Sequence, residues 1–251
     1  MIEKLEHFFN NDKRLARTVF ALFLFGILVF VINNSVLFIV MDRNVYRIPR
    51  LIMRFITSVS WLIAAWIGTK ANRTKRNLYL MPALVAYIIG DIIVMFSTPP
   101  SAVFYGIGHI FLTISIMKST QIRRYQYVVF GASTVLVVAV MIAYFKGLTL
   151  LAFVGIIYGM LCSWVMCAAL SSKYYCVAGV VFFISDIAGL ARKAINDGNV
   201  VYVITTFIYY LAIFLLCISV FNEEEKTSGG SSQSHSEQAT CNDNPRQTPL
   251  K

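Results

Sequence analysis

Long apolar stretches without charged side chains constrain this chain more than any other feature of its sequence. Residues 18–40 contain no Asp, Glu, Lys or Arg. An α-helix rises about 1.5 Å per residue, so a stretch of that length can cross the roughly 30 Å hydrocarbon core of a bilayer. Seven further, largely apolar segments follow at 50–69, 78–96, 102–117, 127–145, 148–170, 174–191 and 200–221. We therefore expect an all-α, polytopic membrane protein with eight transmembrane helices.

Composition supports this class and excludes others. The chain is 58% hydrophobic and only 14% charged, which is too apolar for a soluble domain of its length. Its net charge of +10 comes mainly from basic residues in the short loops, so we expect no nucleic-acid partner. We predict a charged N-terminal segment at 1–17, one membrane domain at 18–221, and a disordered Ser/Gly-rich tail at 222–251.

The distribution of basic residues predicts the orientation. Thirteen Lys and Arg lie near segment ends on the side of the N-terminus, and six lie on the opposite side. Because basic loops stay in the cytosol, both termini should be cytosolic, and a turn at Pro99 and Pro100 should face the outer or lumenal side. The sequon at Asn72 would then be cytosolic and carry no glycan. We expect the protein in the endoplasmic reticulum or another endomembrane.

Two acidic side chains, Asp91 and Asp186, and one histidine, His109, lie inside the apolar segments. A charge in the bilayer interior costs roughly 2.5 to 3.5 kcal/mol on insertion scales, so each of these residues is a candidate for function. Counting helical rise places all three about 8 to 12 Å from the outer ends of their segments. A common depth predicts that they belong to a single site.

Polar residues in membrane helices also have a purely structural explanation. Asn33 and Asn34 lie at a similar depth in the first segment, and Ser185 precedes Asp186. Such side chains often hydrogen-bond to a neighbouring helix and hold the pair together. For these three residues the structural and the functional interpretation both remain open.

A row of basic residues lies at the start of the second segment. Arg47, Arg50 and Arg54 are spaced i, i+3 and i+7, which places them on one face of a helix near the outer surface. The favoured interpretation is that their side chains snorkel to the lipid headgroups, and the alternative is that they bind a lipid phosphate.

Several kinds of site can be excluded by their motifs. His109 is the one histidine within the apolar segments, and there is no CxxC pair, so we expect neither a metal nor a cofactor. The sequence also lacks a GxSxG elbow, a P-loop and a dinucleotide fingerprint. Carboxylate chemistry within the membrane is what remains.

Short motifs occur in a fixed order along the third to eighth segments. They are Gly90-Asp91, the glycine-rich approach to His109, Tyr158 with Met166, the run 182–186 with Leu190-Ala191, and Tyr209-Tyr210. In these motifs and their spacing the chain resembles the lysoplasmalogenase-like YhhN family of multi-span membrane proteins. Three positions depart from the family pattern, at Leu112, Gly155 and Ile213. These departures are compatible with a catalytically inactive lipid-binding relative.

The resemblance implies hydrolysis of the vinyl-ether bond of a lysoplasmalogen, which gives a fatty aldehyde and glycerophosphoethanolamine or glycerophosphocholine. Asp91 and Asp186 would be the catalytic pair, one as the acid and one as the carboxylate that stabilises a cation or activates water. The partners would be a lysophospholipid and the bilayer, with a homodimer as a further option. The residues expected to orient substrate or water are His109, Tyr158, Asn34, Ser185 and Tyr209.

A transporter is the main alternative from another functional class. The same aspartates would then carry a proton or bind a solute during alternating access. Such proteins typically have broken helices in matching halves, and we find no paired Gly/Pro interruption in the middle of the segments.

Overall fold

The computed structural model describes residues 1–10, 12–39, 47–145, 150–172, 175–192 and 199–221. These ranges are helical throughout, apart from short turns, and contain no strand. The predicted tail at 222–251 lies outside them. The helices are α1 (Ile2–Phe8), α2 (Lys13–Ile39), α3 (Arg47–Ala71), α4 (Lys75–Ile93), α5 (Thr98–Met117), α6 (Arg124–Phe145), α7 (Leu150–Ala169), α8 (Cys176–Arg192) and α9 (Asn199–Ser219).

Six of these helices, α2 to α6 and α9, are long and apolar enough to cross a membrane. The apolar stretches found in α7 and α8 are shorter, at Phe153–Ala169 and Cys176–Gly189. Large apolar side chains such as Leu28, Val128 and Val135 are more than half exposed, which suits helices that face lipid. The all-α membrane class is confirmed, whereas eight spans and cytosolic termini remain predictions.

The helix ends follow local sequence signals. The hydroxyl of Thr74 accepts a hydrogen bond from the backbone N–H of Asn77 and caps α4. Pro99 and Pro100 lie in the first turn of α5. We predicted them as a separate turn between two helices, but a helix tolerates proline in its first turn because those N–H groups have no partner within the helix.

The N-terminal segment is part of the helical fold. Asp12 accepts hydrogen bonds from the N–H groups of Arg14 and Leu15, so α2 begins five residues before the predicted start. The ring of Phe9, at the end of α1, lies 6.0 Å from that of Phe221 beyond α9. The short first helix therefore covers one end of the bundle.

Six helices surround the centre of the bundle. They form a ring in which α3 packs against α4, α4 against α5, and α5 against α7. The ring continues from α7 to α8 and from α8 to α9, and α9 closes it by packing against α3. Of the two other long helices, α2 packs against α3 and α9, and α6 packs against α7 and α8. Aromatic rings fill the centre, where Tyr87 of α4 lies 5.0 Å from Phe182 of α8. Asp91 and Asp186 lie on these same two helices, which face each other across the bundle.

Candidate functional site

His109 is the centre of one polar cluster, which we call the histidine cluster. The residue is 1% exposed, and its Nε2 atom lies 3.3 Å from Oδ2 of Asp186 and 3.2 Å from the hydroxyl of Tyr158. Nδ1 lies 2.9 Å from the hydroxyl of Tyr87. The cluster thus joins α4, α5, α7 and α8 in one layer, and it brings together three of the residues that the sequence predicted.

Cys162 is the fifth member of the histidine cluster. Its Sγ donates to Oδ2 of Asp186 at 3.2 Å and lies 3.4 Å from Nε2 of His109. Histidine, cysteine and aspartate are zinc ligands, and these three donor atoms lie within 4.8 Å of one another, so they could hold a metal ion. They also hydrogen-bond one another, so the cluster satisfies polar groups without an ion. The expectation that no metal is involved remains a prediction.

Asp91 is the centre of a second cluster, the aspartate cluster. Its carboxylate is buried and accepts a hydrogen bond from Tyr105 at Oδ1, at 2.8 Å, and one from Tyr210 at Oδ2, at 3.3 Å. The hydroxyl of Tyr209 lies near the same carboxylate but makes no well-aligned hydrogen bond. Asp91 is therefore held by hydroxyl groups from α5 and α9.

Two arginines enter the bundle beside the aspartate cluster. Arg54 donates to the hydroxyls of Tyr202 and Thr206, and it lies close enough to Asp91 for electrostatic attraction. Arg54 and Arg50 are only 6% and 8% exposed. The interpretation that they snorkel to the headgroups is wrong for these two, because aromatic and hydroxyl side chains of α9 enclose them.

The two clusters are neighbours, but their carboxylates contact different side chains. Asp91 and Asp186 make no direct contact with each other in the part of the chain that the structure describes. The ring of Tyr87 lies 5.5 Å from His109 in one cluster and 6.5 Å from Tyr105 in the other. One layer of aromatic rings therefore separates the carboxylates, and their joint action on one substrate remains a prediction.

Two cavities lie near the helices that carry the site. The space beside Asp91 and Tyr87 is about the size of one water molecule. A larger apolar groove lies between α3 and α4 at the opposite end of these helices, where its lining includes Trp66, Lys70 and Arg73. That groove contains none of the candidate residues.

Two glycines make room for the tyrosines. A Cβ on Gly108 would lie 2.5 Å from the ring of Tyr87, and a Cβ on Gly90 would lie 2.8 Å from the ring of Tyr105. Each glycine directly precedes the polar residue that the tyrosine contacts, which is His109 or Asp91. Each of the two helices thus supplies a tyrosine that packs over a glycine of the other helix. Because glycine has no side chain, the hydroxyls of Tyr87 and Tyr105 can reach His109 and Asp91.

Two of the predicted residues lie apart from both carboxylates. Asn34 donates to the carbonyl of Phe30 in its own helix at 2.8 Å. Ser185 donates to the carbonyl of Thr205 at 3.5 Å, which links α8 to α9. These hydrogen bonds fit the structural interpretation that the sequence left open.

Our sequence reasoning missed Tyr87, Tyr105 and Cys162, although a signal was present. Tyr87 and Tyr105 each lie four residues before a predicted site residue, and Cys162 lies four residues after Tyr158. Positions four apart share a helix face. This spacing makes all three candidates for the same faces as the predicted site residues.

Comparison with known families identifies the family of this chain. The model of the YhhN family matches residues 49–220 of the chain. The chain belongs to the YhhN family. This family includes lysoplasmalogenases and consists of multi-span membrane proteins, which confirms the resemblance seen in the motifs. No curated protein and no solved structure matches the chain.

The part that matches the YhhN family contains both clusters in full. It begins near the start of α3 and ends just beyond α9. Helices α1 and α2 lie before it, so Asn34 is outside the matched region. The family match therefore covers both clusters and leaves the asparagine outside it.

Proposed function

We propose that this YhhN protein is a membrane-embedded hydrolase that cleaves the vinyl-ether bond of a lysoplasmalogen. The products would be a fatty aldehyde and glycerophosphoethanolamine or glycerophosphocholine. The observation that carries the proposal is the pair of carboxylates, Asp91 and Asp186, each hydrogen-bonded inside a membrane-type helix bundle. Membership of a family that includes lysoplasmalogenases supports this choice of substrate.

The proposed reaction begins with a proton transfer to carbon. A carboxylic acid protonates the alkene carbon farther from the ether oxygen, which leaves an oxocarbenium ion at the other carbon. Water adds to that carbon and releases its proton to a base. The resulting hemiacetal breaks its bond to the glycerol oxygen, which takes up a proton, and the aldehyde forms. General acid catalysis typically contributes about 100- to 10,000-fold to such a step.

The surroundings of the two carboxylates suggest different roles. Both contacts that the described residues make with Asp186 go to Oδ2, and His109 lies beside it as a proton relay. We therefore assign the acid role to Asp186. Asp91 accepts two hydroxyl hydrogen bonds and would stabilise the cation. Tyr158 and Tyr209 would orient water or substrate. Asn34 and Ser185 would support the helices that hold the site.

The proposal includes the arrangement in the membrane. All eight long helices, α2 to α9, would span the bilayer as one domain at 18–221, with both termini and the 222–251 tail in the cytosol. The two clusters then lie in the outer half of the bundle. The endoplasmic reticulum or another endomembrane is the proposed location.

The direct test is to incubate the purified full chain in detergent with a lysoplasmalogen and to measure the aldehyde. Asp91→Asn and Asp186→Asn keep the shape of the side chain but lose its charge and its acidity, so each should lower turnover at least about 100-fold. Asp12→Asn, at the exposed start of α2, is the matched control and should retain turnover. Normal turnover in either test variant, with a wild-type elution profile, would reject the pair.

A further inference from the structure

Three side-chain atoms from three different helices form a compact triangle in the histidine cluster. Oδ2 of Asp186 in α8 lies 3.3 Å from Nε2 of His109 in α5 and 3.2 Å from Sγ of Cys162 in α7. The third edge, between Sγ and Nε2, measures 3.4 Å. Imidazole, thiolate and carboxylate are all ligands of transition metals. The triangle therefore offers three ligand atoms where α5, α7 and α8 meet.

The edges of this triangle have the lengths that a tetrahedral zinc site requires. Zinc bonds measure about 2.0 to 2.2 Å to nitrogen or oxygen and about 2.3 Å to sulfur, so two ligand atoms at the tetrahedral angle lie about 3.3 to 3.6 Å apart. Each observed edge agrees with the separation expected for its pair of atoms to within about 0.3 Å. An ion beside the centre of the triangle would bind all three atoms, with water as its fourth ligand.

The hydrogen bonds of the cluster do not explain its compact shape. Nε2 of His109 carries either one proton or one lone pair, so it makes one good hydrogen bond. Three atoms nevertheless lie 3.2 to 3.4 Å from it, and they belong to Asp186, Tyr158 and Cys162. Hydrogen bonds between charged groups are typically shorter, at about 2.7 to 2.9 Å. An ion within the triangle would be bound by several of these atoms at once.

A second observation is the contact on the other side of the imidazole ring. The hydroxyl of Tyr87 lies 2.9 Å from Nδ1 of His109. Histidines that bind a metal almost always hydrogen-bond through their other ring nitrogen, which fixes the orientation of the ring. When Nδ1 donates to this hydroxyl, Nε2 presents a lone pair to the triangle. The outer contact that a metal-binding histidine needs is therefore already formed.

The charges of the three side chains suit a divalent cation inside a membrane-type bundle. One thiolate and one carboxylate cancel the charge of Zn²⁺, so the occupied site is neutral. As the ion binds, the proton of the Cys162 thiol passes to water, as does that of Asp186 when it is protonated. His109 and Cys162 are 1% and 2% exposed, whereas the side chain of Asp186 is 10% exposed. An ion would therefore reach the cluster past Asp186.

We propose that His109, Cys162 and Asp186 bind a Zn²⁺ ion reversibly and that the bound ion inhibits the protein. Imidazole and thiolate favour Zn²⁺ over Mg²⁺ and Ca²⁺, which prefer oxygen ligands. The binding does not depend on the proposed function. The inhibition rests on it, because zinc would occupy Oδ2 of Asp186, the residue to which we assign the acid role. The metal-free chain is then the active form, in line with a reaction that needs no metal.

The first experiment measures binding to the purified full chain in detergent after treatment with a chelator and dialysis. A Cys241→Ser, His235→Ala background and a tag without histidine remove competing ligands from the tail. A zinc-indicator dye should report one ion per chain, and excess Mg²⁺ should not displace it. Co²⁺, as a spectroscopic substitute, should show the visible bands of tetrahedral cobalt and a thiolate-to-cobalt charge-transfer band. Absence of zinc binding, or of the thiolate band, would overturn the proposal without the use of any site variant.

Cys162→Ser is the decisive variant, because its hydroxyl can still donate to Asp186 but is a poor zinc ligand. Loss of an outer contact typically lowers metal affinity by about 10- to 100-fold, so loss of a direct ligand should lower it at least about 100-fold. Cys167→Ser is the matched control. Cys167 is buried in the same helix, but its thiol contacts Ser133 of α6, so the variant should keep the wild-type affinity. Wild-type zinc affinity in Cys162→Ser would overturn the site.

Aldehyde formation tests the inhibition and separates this inference from the proposed function. Zn²⁺ should inhibit the wild type and Cys167→Ser at the concentrations at which it binds to them. Cys162→Ser should need at least about 100-fold more Zn²⁺. Zinc binding that depends on Cys162, without aldehyde formation by the metal-free chain, would support the metal site and reject the hydrolase. Aldehyde formation that bound zinc leaves unchanged or stimulates would support the hydrolase and overturn the inhibition.

Discussion

The hydroxyl of Tyr87 lies 2.9 Å from Nδ1 of His109. This contact depends on Gly108, the residue before the histidine, because a larger side chain there would collide with the tyrosine ring. If the Nδ1 proton points to Tyr87, Nε2 is left to accept a proton from Asp186 or to return one. Tyr105 reaches Asp91 over Gly90 in the same way. A tyrosine of α4 therefore positions His109 of α5, and a tyrosine of α5 positions Asp91 of α4.

Replacing Gly108 with alanine should disturb the histidine cluster. The added Cβ would lie 2.5 Å from the ring of Tyr87, which is too close, so the ring must move away from His109. Overpacking of this kind costs roughly 1 to 3 kcal/mol of stability. We expect a lower melting temperature and a loss of turnover larger than the loss of folded protein. Gly131→Ala is the matched control, because nothing lies within 4 Å of that Cβ, and it should behave as the wild type. Unchanged turnover in Gly108→Ala would mean that the Tyr87 contact is dispensable.

Tyr105→Phe tests how Asp91 is held. The substitution keeps the ring over Gly90 but removes the hydroxyl that donates to Oδ1 at 2.8 Å. A hydrogen bond to a charged group contributes about 1.5 to 3 kcal/mol, which corresponds to a roughly 10- to 100-fold fall in turnover if it acts in the transition state. The aldehyde assay measures this effect. Tyr125→Phe, at an exposed position in α6, should leave turnover unchanged. Equal rates in the two variants would show that the hydroxyl of Tyr105 does not support the reaction.

The sequence predicted the helices of this fold better than it predicted which helices pack against each other. Helices were evident because charge-free stretches of sufficient length have few other structures available in a bilayer. Asp91, His109 and Asp186 were evident because intramembrane ionisable residues are costly and therefore rare. Tyr87 and Cys162 gave only the weaker signal of a four-residue spacing from a predicted site residue, since tyrosine and cysteine are common in apolar helices. Their roles arise from contacts between α4, α5, α7 and α8, and one sequence does not specify which helices are neighbours.

The arginines show the same limit in another form. Their spacing correctly placed Arg50 and Arg54 on one face of α3. Whether that face meets lipid or protein depends on where α9 packs, because Tyr202 encloses both side chains. A periodic pattern predicts a face but does not identify the surface against which it packs.

Chelation tests whether the histidine cluster works as an acid–base group or as a metal site. His109, Cys162 and Asp186 could hold an ion, yet the proposed reaction needs a proton donor at Asp186 and no metal. We therefore expect a strong chelator, followed by dialysis, to leave aldehyde formation unchanged. Cys162→Ser should lower turnover only modestly, since a hydroxyl can still donate to Asp186. Loss of activity on chelation with recovery on adding Zn²⁺ would contradict the acid role of Asp186.

The orientation of the bundle can be tested with two exposed positions at opposite ends of α4. Arg73 precedes α4 on the predicted cytosolic side, and Ser97 follows it on the predicted lumenal side. In sealed microsomes whose cytosolic face points outward, a membrane-impermeant maleimide should label Arg73→Cys at once. It should label Ser97→Cys only after permeabilisation. A Cys241→Ser background removes the cysteine of the tail, and a parallel gel-shift assay should show no glycan on Asn72, because its sequon lies on the same side as Arg73. Immediate labelling of Ser97→Cys, or a glycan on Asn72, would reverse the orientation and place both clusters in the cytosolic half of the bundle.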